Sequence, residues 1–241
     1  MLYLLPAAGS IKEFSLGGEA RMTRFNGEGA LDYDLRITRL VPGYELLHQL
    51  SASQLMGRLG PEARVLLVGV GTGSELLLLG SLCPRWQFIA QDISADMLAQ
   101  ARRQAEQAGM AARITWWEGP LPADSMACDG ALCLLVLHFL PQEHKAALLA
   151  DIARQLRRGA PLLLADLMAA QDDDERAVMG LHAHRAGLPR SASEQMVLRL
   201  AQDFFPLDEK QTRHLLQAAG FGVGRRYFQA LGFHGWLAER L

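Results

Sequence analysis

A chain of 241 residues, half of it apolar and 21% charged, can bury a sizeable core as one α/β domain with additions, and its balance excludes a disordered or fibrous protein. The formal net charge of −2 gives no global attraction to nucleic acid or to an anionic membrane surface. Cys83, Cys128 and Cys133 are few, odd in number and outside any metal-ligand spacing, so no metal is expected and a reducing, cytoplasmic setting is.

Residues 1–24 read as an irregular arm, with Gly9, Gly17 and Gly18 breaking any long element; residues 3–5 and 14–16 are either short strands or simply apolar parts of the arm. The opening six residues are apolar but lack a basic flank, and no apolar run in the chain is long enough to span a bilayer. From residue 25 to 59 the pattern becomes helical. Leu31, Leu35 and Thr38 share one face, and a second helix after Gly43 carries Leu46, Leu47, Leu50, Leu55 and Met56. Residues 1–60 are thus an arm and a helical cover, and residues 61–241 the main domain. Tyr33 and Tyr44 either stand near a ligand or pack the cover onto the domain.

The apolar run over residues 65–68 leads into Gly69-Val70-Gly71-Thr72-Gly73-Ser74-Glu75 and then a helical pattern. Four apolar residues in a row suit a strand buried on both faces. Glycines let the backbone turn sharply and approach a ligand closely. The following helix points its unpaired N–H groups at that ligand. A dinucleotide site wants G-x-G-x-x-G. Here the spacing is G-x-G-x-G, with Ser74 where a third glycine would fall. Strand two is expected over 86–90, followed by Gln91 and Asp92. An acid at that strand end accepts both hydroxyls of a ribose, or else caps the next helix. Ile93 beside it is assigned to the same ligand.

A helix is expected over 95–108, strand three over 113–117, strand four over 130–135, a helix over 142–157 and strand five over 161–165. His138, in an apolar run after strand four, is read as a packed or acceptor-facing histidine. Residues 171–209 form a helical insertion opening on Asp172, Asp173, Asp174 and Glu175, a solvated start that suits the helix dipole. A helix over 208–219 and strands near 221–223, 226–230 and 232–238 close the chain, one of them antiparallel.

Together these stretches resemble the class I S-adenosylmethionine (SAM) methyltransferases over about residues 60–235. The resemblance implies a Rossmann-like α/β fold with a mostly parallel seven-stranded sheet, an antiparallel final strand, the helical cover and the insertion after strand five. It implies SAM or a SAM derivative as the bound cofactor. It assigns cofactor contacts to Tyr44, Gly69, Val70, Gly71, Gly73, Glu75, Asp92, Ile93, Gly119, Pro120, Leu121 and Leu134. Phe25-Asn26, Tyr33-Asp34 and Val41-Pro42-Gly43-Tyr44, with the 179–221 region, further resemble the carboxy-SAM synthase branch, which acts in wobble-uridine modification of tRNA. The chain departs from both patterns. The acid two residues before the first glycine is Leu67, leaving Glu75 or backbone carbonyls to hold the methionine amino group. The acid after strand three is Pro120, leaving backbone groups of Gly119 and Leu121. The branch's asparagine after strand four is Leu134. Its carboxylate-holding arginine falls at about Leu198, one step from Arg199.

Methyl transfer from SAM to a small-molecule acceptor is therefore the expected function. A carboxy-SAM synthase-like enzyme is the alternative, and a non-catalytic SAM-binding protein or a nicotinamide oxidoreductase stands further off. His182 and Arg185 fall three apart on one face of the insertion. They are the expected catalytic pair, one taking a proton and the other holding an anionic acceptor. Phe139, Phe204 and Phe205 are expected to help exclude water. A homodimer is compatible with this reading, and direct nucleic-acid binding is not indicated.

Overall fold

The computed structural model describes residues 33–170 and 172–241. The expected arm, with its two apolar stretches, and Leu31 lie outside them. In chain order the elements are α1 (Tyr33–Leu40), α2 (Tyr44–Met56), β1 (Arg64–Val68), α3 (Ser74–Leu82), β2 (Gln87–Asp92), α4 (Ala95–Gln107), β3 (Ile114–Glu118), β4 (Gly130–Leu134), α5 (Gln142–Gln155), β5 (Pro161–Leu167), α6 (Asp173–Arg185), α7 (Arg190–Gln202), α8 (Glu209–Ala218), β6 (Arg225–Ala230) and β7 (Phe233–Glu239).

The strands form one seven-stranded sheet in the order β3-β2-β1-β4-β5-β7-β6. The first five strands are mutually parallel. Strands β4 and β5 are buried at every residue, as expected of strands covered on both faces. β7 runs antiparallel to both of its neighbours, β5 and β6. The cause is local. Only Leu231 and Gly232 separate β6 from β7, and so short a link can make only a hairpin. Two apolar clusters lie on the two faces of the sheet. One holds Leu67, Leu76, Leu79, Phe88, Leu134 and Leu163, together with Leu47 and Leu55 of α2. The other holds Leu66, Ile89, Cys133, Ile152, Leu164 and Trp236.

Several expected boundaries move, for reasons of pairing. β2 begins at Gln87 and runs on through Gln91 and Asp92, because Asp92 is in register with Glu118 of β3. β3 shifts one residue later with it. β5 extends to Leu167 and takes in Asp166, because β7 pairs along its whole length, as far as Leu167 with Phe233. Residues 221–223 are not a strand; Phe221 makes a single bridge to Arg240. Leu46 and Met56 of α2 are exposed, and Leu47, His48, Ser51, Ala52 and Leu55 form its buried face. The insertion is a pair of packed helices, α6 and α7, so close that a Cβ on Gly180 would meet Val197 Cγ2 at 2.5 Å.

Trp236 of β7 is fully buried, with the guanidinium of Arg213 4.8 Å and that of Arg226 5.8 Å from its ring centre. Trp236→Ala is expected to cost about 3–5 kcal/mol, the usual loss for emptying a buried aromatic site. The midpoint of urea unfolding should fall accordingly, and a change under 1 kcal/mol would mean that β7 does not depend on this ring.

Candidate active site

The turn after β1 is knotted to the ends of β2 and β3. Val70 N–H donates to the Gln91 carbonyl at 2.9 Å, and Gly71 N–H donates to Asp92 Oδ2 at 2.9 Å. The Gln91 side chain spans the gap: its Oε1 accepts from Gly69 N–H at 3.2 Å and its Nε2 donates to the Gly119 carbonyl at 2.6 Å. Gly119 N–H returns a bond to the Asp92 carbonyl at 2.9 Å. Asp92 Oδ1 accepts from Ser94 N–H at 2.9 Å, and Ser94 itself caps α4 through Met97 N–H. Asp92 is thus a brace of the turn, and the capping that the sequence left open to it falls to Ser94.

The three glycines do different work. All have positive φ: Gly69 +68°, Gly71 +54° and Gly73 +96°. A Cβ on Gly69 would strike Val136 Cγ2 at 2.5 Å, and one on Gly73 would press Ala101 at 3.2 Å, so both positions are closed by packing within the protein. A Cβ on Gly71 would find nothing nearer than the Gly69 carbonyl, 4.0 Å away. Gly71 is the glycine that faces open space.

That space is lined by Tyr44, His48, the 69–72 turn, Ser74, Glu75, Leu134 and Leu135. Tyr44 hydrogen-bonds Ser74, and its ring lies 4.3 Å from that of His48. Thr72 Oγ1 donates to Asp34 of α1, which brings the cover onto the turn. Burial lowers His48 to about 4, so it is neutral at neutral pH. Burial raises Glu75 to about 8, helped by the charges of Asp92 and Asp34. Burial also raises Asp92. Among the described residues, the charged side chains acting on Glu75 are both acids, Asp92 and Asp34.

Of the expected cofactor residues, the structure brings Tyr44, Gly69, Val70, Gly71, Glu75 and Leu134 to one pocket. Asp92 and Gly119 are tied to it by hydrogen bonds. Ile93 and Pro120 are exposed and Leu121 is buried. On α6, His182 is half-buried and Arg185 exposed, and neither lines this pocket. Leu198 and Arg199 of α7 are both exposed. The sequence reading passed over Gln91 and Asp34, although a glutamine at the end of a buried strand is a signal for a bridging side chain. It singled out His138 but not its partners beyond β4 and β5, where His138 Nδ1 bonds Asp166 Oδ1 and Lys145 Nζ donates to the Leu137 carbonyl.

Residues 65–159 match the methyltransferase domain family. The fold is that of the class I methyltransferases. The chain is 26% identical over 233 residues to a carboxy-S-adenosyl-L-methionine synthase of Desulfotalea psychrophila, covering 93% of this chain and 95% of that protein. It is 29% identical over 226 residues to the synthase of the same name from Dichelobacter nodosus, covering 89% and 91%. Among solved structures, magnesium protoporphyrin IX methyltransferase from Synechocystis PCC 6803, with bound SAH, superposes at a TM-score of 0.64 and 19% identity, covering 95% of this chain and 97% of that one. No helix among the described residues is long and apolar enough to cross a membrane.

The raised Glu75 carboxyl makes a prediction about stability. It titrates at about 8 in the fold, against 4.5 as a model group. Between those values the folded state holds a proton that the unfolded state has released, so stability falls as pH rises. His48, lowered from 6.5 to about 4, acts in the opposite sense below pH 6.5. Lys145, lowered by burial to about 8, also acts in that opposite sense as pH approaches its own value, so the window from pH 6.5 to about 7 reports Glu75. There the ligand-free protein should lose stability with a slope approaching ~1.4 kcal/mol per pH unit. Glu75→Gln should flatten that slope in urea unfolding at stepped pH. An equal slope in both proteins would show that Glu75 is ionised throughout.

Proposed function

We propose that this protein transfers a methyl group from SAM to a small-molecule acceptor. The observation that carries the proposal is the charge of the pocket. Glu75, Asp92 and Asp34 converge on an open glycine turn, and among the described residues no cation is one of the groups acting on Glu75. A buried carboxylate without a partner is costly, so the pocket suits a ligand that brings positive charge. SAM carries an ammonium and a sulfonium. A nicotinamide dinucleotide would bring its pyrophosphate against the acids.

The residues fit such a ligand. Asp92 accepts Gly71 N–H on Oδ2 and Ser94 N–H on Oδ1, and its carboxylate would offer a remaining lone pair to a ribose hydroxyl. Glu75, in the first turn of α3, stands in for the acid absent at Leu67 and would hold the ammonium. Tyr44 and the exposed Ile93 would cover the nucleoside. When bound, SAM supplies a methyl group on a sulfonium centre. The chain's part is to orient that centre and exclude water.

The same pocket favours SAM over a carboxylated SAM. The matching position after β4 is Leu134, buried and apolar, and Leu198 with Arg199 points to no built carboxylate clamp. An added carboxylate would meet leucines and acids. In this reading the helices before residue 61 serve as cover, and the insertion with His182 and Arg185 takes the outer part of the acceptor. The three cysteines are free and buried, which suits a reducing compartment.

Calorimetry with SAM, S-adenosylhomocysteine and carboxy-SAM tests this. Binding of the first two, with carboxy-SAM weaker, is expected. No binding at millimolar ligand would remove the proposal, and tighter carboxy-SAM binding would reverse the choice between the two relatives' chemistries. Asp92→Ala should weaken SAM by about 1.5–3 kcal/mol, the range for hydrogen bonds to a charged group, with the fold retained by circular dichroism.

A further inference from the structure

Beyond β4 the chain makes a short 3-10 turn, Leu137–Phe139, which sets His138 at the carboxyl ends of β4 and β5. The side chains of His138 and Asp166 are only 9% and 10% exposed. Asp166 Oδ1 takes the His138 Nδ1 bond and also accepts Leu167 N–H at 2.9 Å. Lys145 of α5 is 1% exposed; its ammonium holds the Leu137 carbonyl, and its charge and that of Asp166 act on each other. Asp166 Oδ1, which already accepts Leu167 N–H, is placed to accept the Nδ1 proton of His138, and a neutral ring bonded in that way keeps its lone pair on Nε2.

The surroundings point to the acceptor side of the site. The ring of His138 lies 4.0 Å from Phe139 and 5.1 Å, edge-on, from Phe204, and those two rings are 5.4 Å apart. Phe205 N–H donates to the His138 carbonyl at 2.8 Å, fastening the end of the insertion here. Leu134 and Leu135 line the cofactor pocket, and Leu135 N–H donates at 2.7 Å to the carbonyl of Ala165, the neighbour of Asp166, so the histidine pair and the pocket share one strand end.

We infer that His138 is the proton acceptor for an aromatic hydroxyl, with Asp166 and Lys145 as positioning residues. The inference rests on the methyl-transfer reading and names the acceptor class. A phenol, at a pKa of about 10 like tyrosine, is within reach of an imidazole once its oxygen begins to bond carbon. An aliphatic alcohol is far less acidic, and a free amine or thiolate needs no base. The step balances as follows: the hydroxyl proton goes to Nε2, the oxygen pair forms the C–O bond, and the pair of the broken C–S bond stays on sulfur as a thioether. The imidazolium then faces the Asp166 carboxylate until its proton leaves to solvent.

Nitrogen-15 NMR of the histidine rings tests the tautomer without any ligand. At pH 7.5 His138 should show Nδ1 protonated and Nε2 bare; a proton on Nε2 overturns the inference. Turnover is tested with methyl-labelled SAM and phenols of graded acidity, from 4-nitrophenol to 4-methylphenol, as probe acceptors. His138→Asn keeps a donor near the Nδ1 position and removes Nε2. It should lower kcat about 100-fold or more for 4-methylphenol, less for 4-nitrophenol, which is largely ionised already, and leave SAM affinity unchanged. Lys145→Met should lower kcat about tenfold with the same acidity dependence. Equal losses across the phenols would mark a structural role and overturn the inference. So would a wild-type protein that binds S-adenosylhomocysteine yet methylates no phenol, an outcome that leaves the methyl-donor reading standing.

Discussion

The hydrogen bonds from Gly71 to Asp92 and from Gly69 to Gln91 hold the molecule's working end together. They join a turn, two strand ends and the loop at Gly119 into one rigid rim. Parallel strands all end on the same edge of a sheet, so whatever follows them in the chain gathers there. The rim decides which of those followers face a ligand. It turns the amide of Gly71 toward Asp92 and leaves the outer side of that glycine open, while Gly69 and Gly73 are closed by Val136 and Ala101.

Charge is distributed unevenly around this edge. On the β1–β2 side, Glu75 and Asp92 are buried with Asp34 close by, and burial raises the pKa of the first two. Removing a carboxylate from water without a counter-charge is among the larger penalties a fold accepts. A cationic ligand recovers that penalty on binding, which makes the pocket selective by charge before any shape is considered. On the β4–β5 side the acid is matched from within, since Asp166 has Lys145 and His138 as neighbours. One side holds acids with no internal counter-charge among the described residues; on the other, the acid has its partners within the fold.

The antiparallel β7 binds these halves into one architecture. It fills the space between β5 and β6 and pairs with β5 along seven residues, from Pro161 to Leu167. That pairing carries β5 far enough to place Asp166 within a regular strand. Trp236, between two guanidinium groups, anchors β7 from the other face. The strand farthest from the glycine turn in sequence therefore positions the acid beside His138.

Much of this was legible in the chain itself, because it depends on neighbours in sequence. The buried run at residues 65–68, the glycine spacing, Asp92 at a strand end and the closeness of the last two strands in the chain each express local geometry. They determined the class of fold and the location of the cofactor end. The roles of individual side chains needed the tertiary structure. Three glycines of one motif look alike in sequence, and only their surroundings, Val136, Ala101 or open space, separate them. Gln91 became a bridge once Gly69 and Gly119 stood on either side of it. His138, Lys145 and Asp166 lie on three elements, and their sequence spacing carries no period that would unite them. Burial and hydrogen bonding between distant segments decided their pairing, since these depend on where the sheet brings the strand ends, and no local pattern records that.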